Sequence, residues 1–168
     1  YTPSPVTDEA DGTFSIGWIS DTQHYSELYP DMLLRMTEWT VENREAYNIQ
    51  AVVHTGDMIN RRESTRQWEN ISAAFDRLGD IPLLALAGNH DVGTSTLDYS
   101  YFKQYVASRY GDTSGFFEGG RGAYVEIPLD YVSFLLIGTG WGYNDASVAW
   151  LNEVIARYPF HIVILCGH

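Results

Sequence analysis

Gly88-Asn89-His90-Asp91 follows directly on the apolar run Pro82-Leu83-Leu84-Ala85-Leu86-Ala87, and its reading decides the fold. A short apolar run that stops at glycine and then presents an amide, an imidazole and a carboxylate reads as a buried strand with a polar exit loop. Toward the N-terminus the arrangement occurs twice more. Ala51 to Thr55 leads into Thr55-Gly56-Asp57, and Phe14 to Ser20 leads into Ile19-Ser20-Asp21. In an open α/β sheet, ligands bind in the crevice beyond the carboxyl ends of the strands, so three such exits converge on one pocket. The stretches from Asp21 to Asp57 and from Asp57 to Asn89 are each long enough for a loop, a helix and a returning strand.

The first of these helices starts at Pro30 and carries Leu33, Met36, Thr40 and Tyr47 near helical spacing, ending close to Asn48. Ser64 caps the second, whose Trp68, Ile71, Phe75 and Leu78 share a face. The segment from Asp21 to Pro30 reads as loop. Beyond Asp91 the pattern changes: Val92 to Thr96 is loop, Tyr99 to Tyr110 an aromatic helix, and Gly111 to Gly122 a glycine-rich connection. Ala123 to Ile127 and Tyr131 to Ile137, split by Pro128-Leu129-Asp130, form a hairpin. Val148, Leu151 and Ile155 mark a last helix, and His161 to Cys166 a last strand.

With 168 residues, 45% of them apolar, the chain suits one domain with a real core. Its formal net charge of -12 repels phosphate backbones, so bulk nucleic-acid binding is not expected, while small phosphorylated substrates remain compatible with it. The single cysteine, Cys166, excludes an internal disulfide framework and reads as a buried, inert thiol. No apolar stretch reaches the roughly 18 to 20 residues of a membrane span. Residues 1–12, with Thr2-Pro3-Ser4-Pro5, read as a linker or a processed start that favours an extracellular or cell-surface location, and residues 13–168 as the domain.

Asp21, Gly56-Asp57 and Gly88-Asn89-His90-Asp91, in this order and at these separations, resemble the calcineurin-like metallophosphoesterase superfamily, whose signature is written DxH, GD, GNH[DE], H and GHxH. The resemblance runs from about Phe14 to the last residue. It implies a four-layer α/β sandwich of two mixed β-sheets flanked by helices. It further implies two divalent cations that neutralise the phosphoryl oxygens and convert a bridging water into a hydroxide nucleophile, hydrolysing a phosphomonoester or phosphodiester. By the same resemblance Asp57 bridges both metals, Asp21 binds one, and Asn89 binds the other through its amide oxygen. His90 acts as acid or transition-state stabiliser, with Asp91 orienting its ring.

The chain departs from that signature in two places. Gln23 stands where the first motif carries histidine; an amide oxygen there favours manganese or iron, with magnesium also fitting, over zinc. His24, next to it, reads as a substrate-facing loop histidine. His168 matches the lone histidine of the fourth motif and is a metal ligand on that matching, which leaves no place for the GHxH element. The domain therefore reads as incomplete at its C-terminal side, and the expectation for this form is weak or partial metal binding and little activity. Arg61 is a candidate for holding a substrate phosphate, with Arg62 beside it. His54 reads as a satisfied core group or as one that supports the ligands, rather than as a ligand. Trp141 and Tyr143, in the glycine-rich stretch from Gly138 to Gly142, read as packing residues near the pocket. The competing function is a non-catalytic module on the same scaffold that recognises a phosphorylated or carbohydrate ligand. A metal-free nucleotide binder is disfavoured by the lack of a phosphate-cradling glycine loop.

Overall fold

The computed structural model describes residues 13–109 and 114–168. Three parallel strands, β1 (Ser15–Ile19), β2 (Ile49–His54) and β3 (Leu83–Ala85), form one sheet in the order β1-β2-β3. Four more, β4 (Ser114–Phe117), β5 (Gly122–Pro128), β6 (Ser133–Thr139) and β7 (Ile162–Gly167), form a second. In it β4, β5 and β6 pair antiparallel, while β6 and β7 run parallel. The expected two packed sheets with helices outside are therefore present; the first is parallel throughout and the second is the mixed one.

Alternation along the strands assigns the layers. Ala51 and Val53 of β2, with Leu84 and Leu86 at β3, face Ala123, Val125, Phe134 and Leu136 of the second sheet. Val52 and Ala85 face the other way, onto α2 (Pro30–Glu42), α3 (Thr65–Asp76) and α5 (Ser100–Tyr105) through Leu33, Trp68, Ile71, Phe75 and Phe102. Leu135 and Ile137 of β6 bury the fourth layer, α6 (Asp145–Arg157), through Val154. Burial pushes the Cys166 thiol up to about 11, which keeps it in the unreactive protonated form.

Several elements differ from the sequence-based expectation. The segment after Asp21 holds a short helix, α1 (Gln23–Leu28), which buries Thr22 and Ser26 and is too short for an apolar period to betray it. Helix α2 stops at Glu42; a turn follows in which Asn48 takes a positive φ of 46° and Ile49 N–H returns to the Arg44 carbonyl. Asn89–Val92 itself winds into a single helical turn, α4. Strand β4 lies in the segment read as connection, because four residues among glycines show no alternation to read. The aromatic helix is interrupted: α5 gives way to a 3-10 turn at Ala107–Arg109, and Tyr110 lies outside the described residues. Residues 1–12, read as a linker, also lie outside them.

Candidate metal centre

Because β1, β2 and β3 are parallel, their carboxyl ends open at one edge of the sheet. Backbone hydrogen bonds stitch the exits together: Thr55 N–H donates to the Ile19 carbonyl (3.1 Å), Asp21 N–H to the Gly56 carbonyl (3.0 Å), and Leu86 N–H to the His54 carbonyl (2.8 Å). Asp21 and Asp57 both adopt left-handed backbone, φ 55° and 54°, which a short polar side chain tolerates and which is a known mark of functional loops. Two glycines allow the exits to touch. A Cβ on Gly56, whose φ is 110°, would stand 2.7 Å from both the Gly88 nitrogen and His168 Nδ1. One on Gly88 would stand 2.1 Å from Asp57 Oδ1.

Three donors meet at this place. Asp57, 5% exposed, accepts the His90 backbone N–H on Oδ1 at 3.0 Å. His168 Nε2 lies 3.2 Å from Asn89 Oδ1 and 3.6 Å from Asp57 Oδ1. His168 Nδ1 sits 2.8 Å from the Thr55 carbonyl, which can only accept, so Nδ1 carries a proton and Nε2 is the ring atom that faces the two oxygens. A carboxylate oxygen, an amide oxygen and an imidazole nitrogen facing one another are a donor set that a divalent cation accepts. Among the described residues no three His, Cys, Asp or Glu side chains gather in this way; the convergence here is one Asp, one Asn and one His. A second observation fits a cation as well: Gln23 Oε1 is buried and has no hydrogen-bond partner.

Asp21 stands on the first exit. Its carboxylate is exposed and accepts the Ser20 hydroxyl at 2.5 Å, while its backbone N–H is tied to Gly56. His90 is exposed, and its Nδ1 lies 3.3 Å from the Asn60 carbonyl.

The expected pairing of Asp91 with the His90 ring is corrected by the structure. Asp91 is fully buried; Oδ1 accepts Met58 N–H (2.9 Å) and Ile59 N–H (3.1 Å), and Oδ2 accepts Gly88 N–H (2.7 Å). Three backbone donors draw the carboxylate away from its neighbour, so Asp91 braces the second exit against the third. Burial pushes its carboxyl up to about 7, against the pull of those three N–H groups.

The proposed substrate contacts are less central. Arg61 is largely exposed, with Nε 3.4 Å from Glu27 Oε1 of α1. Arg62 bonds Glu63 and, at 2.8 Å, the Thr96 hydroxyl. His24 is exposed at the second position of α1. Trp141 is held by Ala87 and Thr94, and its ring meets that of His168 edge-on at 6.2 Å; Tyr143 is 66% exposed.

A second ring of groups stands behind these donors. His54 is fully buried, accepts Gly56 N–H on Nδ1 (3.2 Å) and therefore carries its proton on Nε2, 2.9 Å from Thr22 Oγ1. Burial holds it down to about 3, so it is neutral at any ordinary pH. The Thr55 carbonyl, Asn60 and Gln67 were invisible, since backbone acceptors leave no mark in a sequence.

Similarity to known proteins bears on the family and the fold. The chain is 36% identical over 162 residues to the uncharacterized protein YvnB of Bacillus subtilis (strain 168), covering 92% of this chain but 12% of that protein. Its fold superposes with a TM-score of 0.60 on purple acid phosphatase PPD1 from yellow lupin (Lupinus luteus) seeds, at 15% identity, over 94% of this chain and 31% of that one. The chain thus spans a small part of each. Among the described residues no helix is long and apolar enough to cross a membrane. The sequence model of the calcineurin-like phosphoesterases matches residues 14–168, and the chain belongs to that family of metal-dependent phosphoester hydrolases.

Proposed function

We propose that this chain hydrolyses a small phosphomonoester or phosphodiester at the centre formed by Asp21, Gln23, Asp57, Asn89 and His168, with His90 as the acid. The observation that supports it most is the meeting of Asp57 Oδ1, Asn89 Oδ1 and Nε2 of His168 around one point. A pair of divalent cations, manganese or iron by the hardness of these donors, would supply charge neutralisation and an acidified water there.

The chain's own groups do the rest. The net charge of -12 gives an anionic ester no attraction from the protein as a whole, so the positive charge the reaction needs would come from cations held at Asp57 and Asn89. Asn89 provides an oxygen donor without adding negative charge that would oppose the substrate. His90 donates Nδ1–H to the Asn60 carbonyl, so the charged ring would give its Nε2 proton to the departing alkoxide and be left as the neutral Nδ1–H tautomer. Asp91 and the two glycines keep the exits in register while this happens.

Hydrolysis of bis-p-nitrophenyl phosphate in the presence of manganese tests the assignment. His90→Ala is expected to lower kcat about 10²- to 10⁴-fold while the manganese bound per chain is unchanged. Two manganese ions held per chain with no hydrolysis would overturn the catalytic reading in favour of a phosphate-recognising module.

A further inference from the structure

The loop leaving β2 is clasped at its far end by a side chain that touches none of the proposed ligands. Gln67, in the first turn of α3 and 2% exposed, accepts two backbone N–H groups on one oxygen: Asn60 at 2.8 Å and Arg61 at 3.0 Å. Asn60 then donates from Nδ2 to Glu27 Oε2 at 2.6 Å, tying the loop to α1 as well. An apolar residue would pack more cheaply at so buried a site on α3, where Trp68, Ile71 and Phe75 already supply the core. What the clasp fixes is the Asn60 carbonyl, and that carbonyl faces His90 Nδ1.

We propose that Gln67 is a positioning residue for His90: by holding the Asn60 carbonyl in place it fixes the proton on Nδ1 and aims Nε2 at the leaving oxygen. The proposal rests on His90 being the acid. A carbonyl accepts only, so the Nδ1–H tautomer and ring direction are set together, and the same bond persists when the ring is charged and ready to donate. Free to relax, the loop would release the ring to rotate, and the proton transfer would lose its alignment.

Gln67→Met removes the acceptor at nearly constant volume, and Gln67→Glu keeps it. In the metal-free chain, the ¹⁵N shifts of the His90 ring are expected to report the Nδ1–H tautomer in wild type and Gln67→Glu, and a mixture in Gln67→Met. With manganese and bis-p-nitrophenyl phosphate, Gln67→Met is expected to lose about tenfold in kcat with KM within about twofold and metal content unchanged, and Gln67→Glu to regain most of it. A mixed tautomer in wild type, an unaltered ring in Gln67→Met, equal loss in both variants, or loss of metal together with kcat would overturn it. The ring measurement needs no turnover, so a wild type that holds two manganese ions and fails to hydrolyse the ester refutes the catalytic reading while the clasp is still decided by NMR.

Discussion

At the scale of single residues, the centre depends as much on missing side chains as on those present. Gly88 lies so close to Asp57 that an added methyl would sit 2.1 Å from Oδ1 and 2.3 Å from the backbone nitrogen, and a contact with backbone cannot be relieved by a rotamer change. Gly88→Ala is therefore expected to displace Asp57 and weaken manganese affinity at least about tenfold, at a cost in stability of about 1–3 kcal/mol, read by titration calorimetry and urea unfolding. Full affinity in that variant would mean that Asp57 does not face the metal. Asp91 shows the limit of reasoning from adjacency. A carboxylate beside a histidine suggests a pair, yet two N–H groups of the second exit and that of Gly88 in its own exit take up both oxygens.

At the scale of elements, the two β-α-β repeats and the order of the motifs were legible because buried parallel strands are apolar runs ended by glycine, and α3 shows its core face plainly in Trp68, Ile71 and Phe75. Helix α1, the turn α4 and strand β4 were not, being six, four and four residues long, below the length at which periodicity speaks. Of the centre, the residue types were legible and their second ring was not. His54, the last residue of β2, read as a core or ligand-supporting histidine, but its role as the strut that joins α1, through Thr22, to the Gly56 turn was not legible. Its folded value of about 3 lies below the 6.5 of an unperturbed imidazole, so between these the unfolded chain binds the extra proton. Stability from this residue is thus present above pH 6.5 and is lost as pH falls toward 3. His54→Gln, which cannot titrate, is expected to be less sensitive than wild type to a change from pH 7 to pH 5 in urea unfolding. An identical pH response in both would show His54 to be charged or solvated in the folded chain.

At the scale of the whole molecule, four layers hold the carboxyl ends of β1, β2 and β3 and the end of β7 at one rim, so that side chains as remote in sequence as Asp57 and His168 approach to 3.6 Å. A surplus of twelve negative charges gathered on such a frame makes a bound cation stabilising to the entire fold. Manganese at a hundred times its dissociation constant is expected to add about 2.7 kcal/mol, raising Tm by roughly 5–10 °C for a chain of this size, and excess EDTA to reverse it. A Tm indifferent to both would mean that the folded state holds no metal. The most direct test of the central claim, that Asp57, Asn89 and His168 share one divalent ion, is an anomalous difference map from crystals grown with manganese. The account predicts a peak about 2.0–2.4 Å from Asp57 Oδ1, Asn89 Oδ1 and His168 Nε2 together; a map with no peak among these three atoms, or with manganese bound only elsewhere, would contradict it.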